Sequence, residues 1–400
     1  MEASIAMNYQ LMDLAFSAPE CVAARASAEP QRMYSELAAS QPVRELGDHM
    51  YSLLRLDDIL YVNRHESVEQ GSKYLGSDRP AIPLGLDGPE QRKYRRLLDP
   101  VFGINRVSTL APAVRALALA LIDGFVDDGH VDAYAVFCEP LPSRIFLTVM
   151  GLPIGDLEQF LHFKRLTLGN DSDPDPSMEG RMARRGEAVV WIHQYFNAEL
   201  DRRESAPPQD DMIGGLLTAE VDGDRLDRQE MLDILGLLMI AGLDTVAASL
   251  ACFLSYFARH PEHRKVVVDD PTMMPSAIEE LMRFECPVTE GIRIATDDIT
   301  LPSGATIPAG SNMHISWSAA NLDATTFPNP LEVDLHRNPN PHIGFASGWH
   351  RCLGSHLARM EMDVALNAWH DRIPDYRVAD GVELHYTGNP RAPHTLPLVW

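Results

Sequence analysis

The 400-residue sequence has few cysteines and few basic residues for its length, and both shortages exclude classes of protein. Its five cysteines are widely spaced and include no CxxC pair, so they predict no disulfide framework. The 34 Lys and Arg against 57 Asp and Glu leave a net charge of −23, which argues against a nucleic-acid partner because phosphate backbones select positive surfaces. The first residues also lack the basic and apolar regions of a signal peptide, so a cytoplasmic protein is expected.

One apolar segment could be mistaken for a membrane span. Residues 234–258 are almost uncharged, but Asp244 lies in their middle, where a carboxylate would be costly in a bilayer. The favoured interpretation is therefore a long helix buried in a large soluble core, without a membrane partner.

The hydrophobic periodicity predicts one domain, residues 1–400, that is mainly α with a small β portion. Helices are expected at 31–38, 178–203, 276–284 and from about Cys352, whereas 293–312 and 382–400 have the pattern of strands. Gly, Pro and Asp predict irregular loops at 71–88 and 170–177.

Cys352 lies at or just before the start of a predicted helix, where unpaired N–H groups and the helix dipole stabilise a thiolate. Gly348 and Gly354 permit a tight turn and the close approach of a flat ligand. These features suit an axial thiolate on a haem iron. The alternatives are a catalytic nucleophile, for which the neighbouring sequence supplies no clear base, and an inert buried thiol, the interpretation that fits the other four cysteines.

The run FASGWHRCLGSHLAR, residues 345–359, resembles the haem-ligand signature of the cytochromes P450. Three further segments follow the order of that family: Ala241-Gly-Leu-Asp-Thr245 of the oxygen-activating helix, Glu280-Leu-Met-Arg283, and the irregular stretch 327–341. The resemblance covers nearly the whole chain and is similar to the soluble bacterial class, in particular its camphor-hydroxylating branch. It implies the P450 fold, with haem b between a long central helix and the Cys loop.

The resemblance also implies roles for single residues. Cys352 would bind the iron, and Asp244 and Thr245 would deliver protons, although outside this context they would be a satisfied polar pair in a helix. Glu280 and Arg283 would form a buried structural ion pair with Arg337 as the candidate third partner; alone they would be a surface pair of little value. The other expected haem contacts are His350, Arg293, Arg95, Gln91, Phe345, Gly354 and Ala241.

The substrate is expected over the haem face opposite the sulfur. The family alignment gives mostly apolar wall residues: Ile82, Leu84, Leu237, Ile240, Ala241 and Val288. They favour a small lipophilic substrate, such as a terpenoid, aromatic or steroid, that is hydroxylated, O-dealkylated or epoxidised with O2. The tyrosine that anchors a ketone in the camphor branch has no counterpart at Arg79 or Ala81, so camphor itself is not expected.

The sequence has no flavin-binding stretch and no Fe–S cysteine spacing, so electrons must come from a separate protein. An acidic [2Fe-2S]-type ferredoxin with its reductase would suit a cationic patch, for which the alternative is a solvated helix face. The predicted docking residues are Arg92, Lys93, Arg96, Arg351 and Arg359. The expected protein is a monomeric monooxygenase. A haem-thiolate sensor and a peroxide-driven peroxygenase remain alternatives, against which the Asp244–Thr245 pair argues.

Overall fold

The computed structural model describes residues 19–47, 49–70, 79–168, 177–221 and 223–400. The chain divides into two compact units. The small unit contains the described residues of 70–103 and 142–244, and the large unit contains those of 14–69, 104–141 and 245–400. The predicted single domain 1–400 stays a prediction.

The chain is mainly helical. The α-helices are, in chain order, α1 (Pro19–Ala26), α2 (Gln31–Ser40), α3 (Leu56–Val62), α4 (Gly88–Leu98), α5 (Ile104–Ser108), α6 (Ala111–Ile122), α7 (Pro140–Met150), α8 (Leu157–Leu168), α9 (Met178–Glu204), α10 (Met212–Thr218), α11 (Arg228–Arg259), α12 (Pro261–Asp269), α13 (Met274–Phe284), α14 (Trp317–Ala320) and α15 (Ser355–Arg372).

The strands are short. They are β1 (Val43–Gly47), β2 (Met50–Leu53), β3 (Val68–Glu69), β4 (His130–Asp132), β5 (Glu220–Val221), β6 (Asp224–Arg225), β7 (Glu290–Ala295), β8 (Ile299–Thr300), β9 (Thr306–Ile307), β10 (Asn312–Ser316), β11 (Arg377–Val378), β12 (Tyr386–Thr387), β13 (Ala392–Pro393) and β14 (Pro397–Val399). The expectation of a mainly α protein with a small β portion is confirmed.

The large unit holds a five-stranded sheet in the order β1-β2-β10-β7-β3. Its central strand β10 runs parallel to β2 and antiparallel to β7. Buried side chains from the sheet and from α3, among them Leu56, Ile59, Met313 and Ile315, form one apolar core beneath it. This core positions β7, which carries Arg293, and the end of α3, which supports the Cys loop described below.

In the small unit, α8 and α9 pack through aromatic rings. Trp191 and Tyr195 on α9 lie within 5.3 Å and 4.9 Å of Phe160, measured between ring centroids, in edge-to-face arrangements. Helix α9 begins where the side chain of Ser177 accepts a hydrogen bond from the Gly180 N–H. The packing fixes α8, which carries Lys164, a residue that becomes important at the site.

Helix α11 is the long apolar element that the sequence predicts, and it contributes residues to both units. It is long and apolar enough to cross a membrane by composition alone, but 72% of its most apolar window is buried inside the protein. The helix ends at Arg259 because Pro261 lacks the N–H that would continue it. A buried core helix is therefore the better description.

The structure differs from the sequence expectations mainly in short elements and helix ends. Helices α3, α10 and α12 have no counterpart in the predictions, because each is a short segment whose apolar period covers only two turns. Helix α15 begins at Ser355, three positions beyond Cys352. The predicted loop 170–177 falls on residues outside the described ones except for Ser177. Of the predicted loop 71–88, residues 71–78 lie outside the described ones, 79–87 form turns and irregular chain, and Gly88 begins α4.

Candidate functional site

One stripe of helix α11 is less covered than the rest of it. Leu237, Ile240, Ala241 and Thr245 are half-buried or exposed, while most of their neighbours between 231 and 250 are buried. Spacings of three, one and four residues place these four side chains on one face of the helix. The side chains of this stripe are apolar except for the hydroxyl of Thr245 at its end. The stripe can therefore accept a flat apolar ligand.

Gly242 allows another helix to approach α11 next to this stripe. A Cβ atom at Gly242 would lie 2.3 Å from the nearest ring carbon of Phe146 on α7. Any side chain there would have to displace the aromatic ring, because real Cβ atoms do not approach so closely. Packing within the small unit therefore requires glycine at position 242 of the Ala241–Thr245 segment.

The carboxylate of Asp244 is buried and ion-paired. Its Oδ1 lies 2.8 Å from Nζ of Lys164 on α8, and both side chains are less than a tenth exposed. The sequence analysis did not identify Lys164. Its only signal was the position of a lysine on the apolar face of α8, one turn after the buried Phe160 and Leu161. The contact balances the charge of Asp244 inside the small unit.

In the large unit, Cys352 differs from every other cysteine because it alone is exposed. Burial raises the pKa of the thiols of Cys252 and Cys286 to about 12 and also raises that of Cys138, so these three are inert thiols at neutral pH. Cys21 is buried as well. Cys352 is thus the cysteine that can offer its sulfur to a ligand.

The backbone of the Cys loop is fixed by a few short contacts. The N–H of Cys352 donates to the carbonyl of Phe345 at 2.9 Å, which closes the loop. Gly348 has φ of +68°, and a Cβ there would lie 2.3 Å from the carbonyl oxygen of Asn63 at the end of α3. Gly348 therefore serves the approach of the protein's own backbone, while around Gly354 a Cβ would meet nothing within 4 Å.

Ala346 of the Cys loop adopts a backbone conformation that favours glycine. Its φ is +55°, in the left-handed region that costs an L-residue roughly 1 kcal/mol or more. Its N–H donates to the carbonyl of Ile343 at 2.9 Å, so the turn holds this conformation with alanine in place.

The ion pair expected between Glu280 and Arg283 is present and fully buried. Two hydrogen bonds of 2.7 and 2.8 Å join their side chains, and Nε of Arg337 donates to both carboxylate oxygens at 3.0 and 3.1 Å. The Nδ2 of Asn340 and the N–H of Asp334 also donate to this carboxylate. Helix α13 is thereby tied to the irregular stretch 327–341, as the resemblance implied.

Arg359 on α15 is held in a second network. Its guanidinium makes a bidentate contact with Glu279 at 2.6 and 2.8 Å and lies 4.2 Å from the ring centroid of Phe345. Burial alone would raise the pKa of Glu279, but hydrogen bonds from Arg359 and His342 lower it to about 2. The charge of Arg359 is therefore balanced locally, which weakens its predicted part in docking.

The remaining predicted residues can be placed unit by unit. In the small unit, Ile82 and Gln91 are buried, Leu84 and Lys93 are half-buried, and Arg92 and Arg96 are exposed. The Nε of Arg95 lies 2.9 Å from Oδ1 of Asp99. In the large unit, Arg293 is buried, Val288 and His350 are half-buried, and Arg351 is exposed. Their expected roles in haem contact, substrate contact and docking stay predictions.

The observed features fit the group that the resemblance implies. Haem needs one sulfur ligand and an apolar surface against its ring, and Cys352 and the stripe of α11 supply groups of these two kinds. The open surroundings of Gly354 agree with a bulky ligand beside the Cys loop. Fold and donor groups together define a haem-thiolate protein.

Comparisons with known proteins agree with this class. The family model of cytochrome P450 matches residues 156–369. The chain is 31% identical to a mycinamicin IV hydroxylase/epoxidase of Micromonospora griseorubida over 92% of this chain and 94% of the relative. It is 30% identical to a vitamin D(3) 25-hydroxylase of Pseudonocardia autotrophica over 88% and 89% of the two chains. A myxobacterial cytochrome P450 in complex with myristic acid superposes with a TM-score of 0.85 at 29% identity, over 96% and 99% of the two chains.

The chain therefore belongs to the cytochrome P450 family and is a bacterial-type monooxygenase with a haem-thiolate cofactor. The P450 fold predicted from the Cys352 signature is confirmed.

Proposed function

We propose that the protein is a monomeric, cytoplasmic haem b monooxygenase that inserts one oxygen atom into a small lipophilic substrate, with electrons from an acidic [2Fe-2S]-type ferredoxin. The observation that supports this most directly is the less covered stripe of α11, which ends in Thr245, the residue that follows the buried and ion-paired Asp244. A binding protein without turnover would have no use for a carboxylate and a hydroxyl at this position. Hydroxylation, epoxidation and O-dealkylation all use the same arrangement.

Cys352 would hold the haem iron through its sulfur, and haem bound there would supply the reductive activation of O2. The protein residues control the protons that this chemistry consumes. The hydroxyl of Thr245 can donate a hydrogen bond to a ligand that lies on the stripe, and it can hold a water molecule beside that ligand. Asp244 can relay a proton from solvent only after its carboxylate exchanges Lys164 for water, because a carboxylate engaged with an ammonium has no proton to pass.

A lipophilic substrate is favoured because the side chains of the stripe, Leu237, Ile240 and Ala241, offer no polar group before Thr245. Arg79 aligns near the ketone-anchoring tyrosine of the camphor branch. Its Nη2 lies 2.8 Å from Oδ1 of Asp233 on α11, so its charge is offset. The relatives also carry names of lipophilic substrates, mycinamicin IV and vitamin D(3). Terpenoid, aromatic and steroid compounds should therefore be tested first.

For the electron donor, Arg92 and Arg96 of α4 are the strongest cationic candidates. They are exposed and four residues apart, so they lie on one helix face and can meet an acidic partner together. The rate at which a ferredoxin reduces the haem should fall as salt is added. In the double variant Arg92→Gln, Arg96→Gln, that rate should depend less on the salt concentration. Arg377→Gln, on exposed β11, is the matched control. A salt dependence that is the same in all three proteins would contradict docking at α4.

The function is tested by spectroscopy and turnover together. The reduced carbon monoxide complex should show the red-shifted Soret band of thiolate ligation, and Cys352→His should lose it. Titration with a library of lipophiles should then find compounds that shift the haem from low to high spin. Such compounds should be oxidised with O2, ferredoxin and reductase. Spin shifts without turnover would favour a sensor, and turnover with peroxide alone would favour a peroxygenase.

A further inference from the structure

The turn between α11 and α12 brings together three metal-ligating side chains that the monooxygenase reaction does not use. His260, Glu262 and His263 each offer one donor atom, and these three atoms lie within 4.8 Å of one another. His260 precedes Pro261 and has φ of −124° and ψ of 71°, so the chain leaves the helical path there and turns both histidines toward one side. Nδ1 of His260 lies 3.3 Å from Oε1 of Glu262.

The buried side chain of Tyr256 contacts both histidines of this cluster. The hydroxyl of Tyr256, one turn earlier on α11, is 2.6 Å from Nδ1 of His263. The Tyr256 ring also stacks on His260, with centroids 4.2 Å apart, and lies nearly parallel to His263. Tyr256 is itself 2% exposed and packs on Phe284, so it is a rigid support for both imidazoles.

We propose that His260, Glu262 and His263 form a binding site for one divalent transition-metal ion of the zinc class. Two imidazoles and one carboxylate are a ligand set that zinc accepts, with a fourth position left to water. The nitrogen donors disfavour Mg²⁺ and Ca²⁺, which prefer oxygen. Nδ1 of His263 is engaged by Tyr256, so Nε2 is its ligand atom, and Nδ1–H then donates to the phenolic oxygen.

The local charges suit a cation. The neighbouring Arg259 faces away, with its guanidinium 3.3 Å from Glu29 and 3.8 Å from Glu285. Arg264, the next cation along α12, is bound to Asp375. The exposed carboxylate of Glu262 supplies the negative charge of the trio. The 4.8 Å spread exceeds the spacing of tetrahedral ligands, so binding of the ion requires Glu262, the most exposed of the three side chains, to rotate inward.

The experiment uses the haem-loaded protein after treatment with a chelator, titrated calorimetrically with Zn²⁺ and separately with Mg²⁺. The expected result is one saturable equivalent of Zn²⁺, no binding of Mg²⁺, and a higher unfolding temperature with Zn²⁺. The double variant His260→Gln, His263→Gln should lose that equivalent. His162→Gln, which removes an exposed histidine of α8, should retain it. Equal unfolding temperatures in chelator would show that the variants are folded.

Zn²⁺ binding that persists in the double variant, or the absence of a saturable equivalent in the unchanged protein, would overturn the proposal. Tyr256→Phe adds a finer test, since it keeps the ring and all three ligands but removes the contact to Nδ1 of His263. Its Zn²⁺ affinity should fall about tenfold. An unchanged affinity would refute the positioning role of Tyr256.

Discussion

The contact between Lys164 and Asp244 gives the sharpest prediction from the structure. Lys164→Met keeps the length and most of the volume of the side chain but removes the ammonium that lies 2.8 Å from the carboxylate. At an effective dielectric constant of about 20, two unit charges at this separation attract each other by roughly 6 kcal/mol before desolvation is subtracted. Removing one partner of such a buried pair costs about 3–5 kcal/mol, because the other charge stays buried without compensation.

The loss should appear as a lower midpoint in denaturant unfolding of the haem-loaded protein, followed by far-ultraviolet circular dichroism. Arg165→Met is the matched control, since Arg165 is the next residue of α8 and is exposed; its stability should change by less than about 0.5 kcal/mol. Adding Asp244→Asn to Lys164→Met should recover most of the loss, because no buried charge then remains. Equal unfolding midpoints for Lys164→Met and Arg165→Met would refute the reasoning.

Four further predictions follow from single contacts. Gly242→Ala should lower stability by about 1–3 kcal/mol, because its Cβ meets the ring of Phe146, and Phe146→Leu should reduce that loss in a double-mutant cycle. Glu280→Gln should cost about 3–5 kcal/mol and speed haem release, measured by transfer to apomyoglobin, whereas Gln in place of exposed Glu187 should change neither. Thr245→Ser should keep oxygen consumption coupled to product, whereas Thr245→Ala should uncouple them; full coupling in the alanine variant would remove the proton-delivery role. Burial lowers the pKa of His370 to about 3, so the unfolded chain binds a proton first as pH falls below about 6.5. Stability should then fall by up to about 1.4 kcal/mol per pH unit between about 6.5 and 5, and His370→Gln should flatten that slope.

The sequence predicts the parts of this protein that depend on local order. The Cys352 segment contains its ligand, its turn residues and the start of α15 within a few positions, so its pattern is specific without any tertiary information. Helix α11 is predicted for a similar reason, since a long apolar run with one carboxylate has few alternatives in a soluble protein. The pairing of Glu280 with Arg283 follows from their spacing on one helix turn.

Contacts between distant segments could not be predicted in this way. Lys164 pairs with Asp244 only because α8 and α11 pack together in the small unit, and nothing in either segment identifies the partner. The sequence predicts a tight turn at Gly348, but it does not predict that the backbone of Asn63 lies against this glycine. Arg359 was expected to be a docking cation, yet Glu279 and the ring of Phe345 hold it. In each case tertiary packing decides what a flexible or charged residue contacts.

The Cys352 loop and Asp244 are held in place by different kinds of interaction, so substitutions at the two places should have different effects. The Cys352 loop is fixed by backbone hydrogen bonds and by the steric requirement at Gly348, neither of which titrates or exchanges readily. Asp244 is held by a single ion pair that can exchange for water. Substitutions in the Cys loop should therefore change haem binding at every stage of the reaction. Substitutions at the Lys164–Asp244 contact should lower the stability of the protein but leave haem bound in its folded state. Among the steps of the reaction, they should change those in which a proton is delivered.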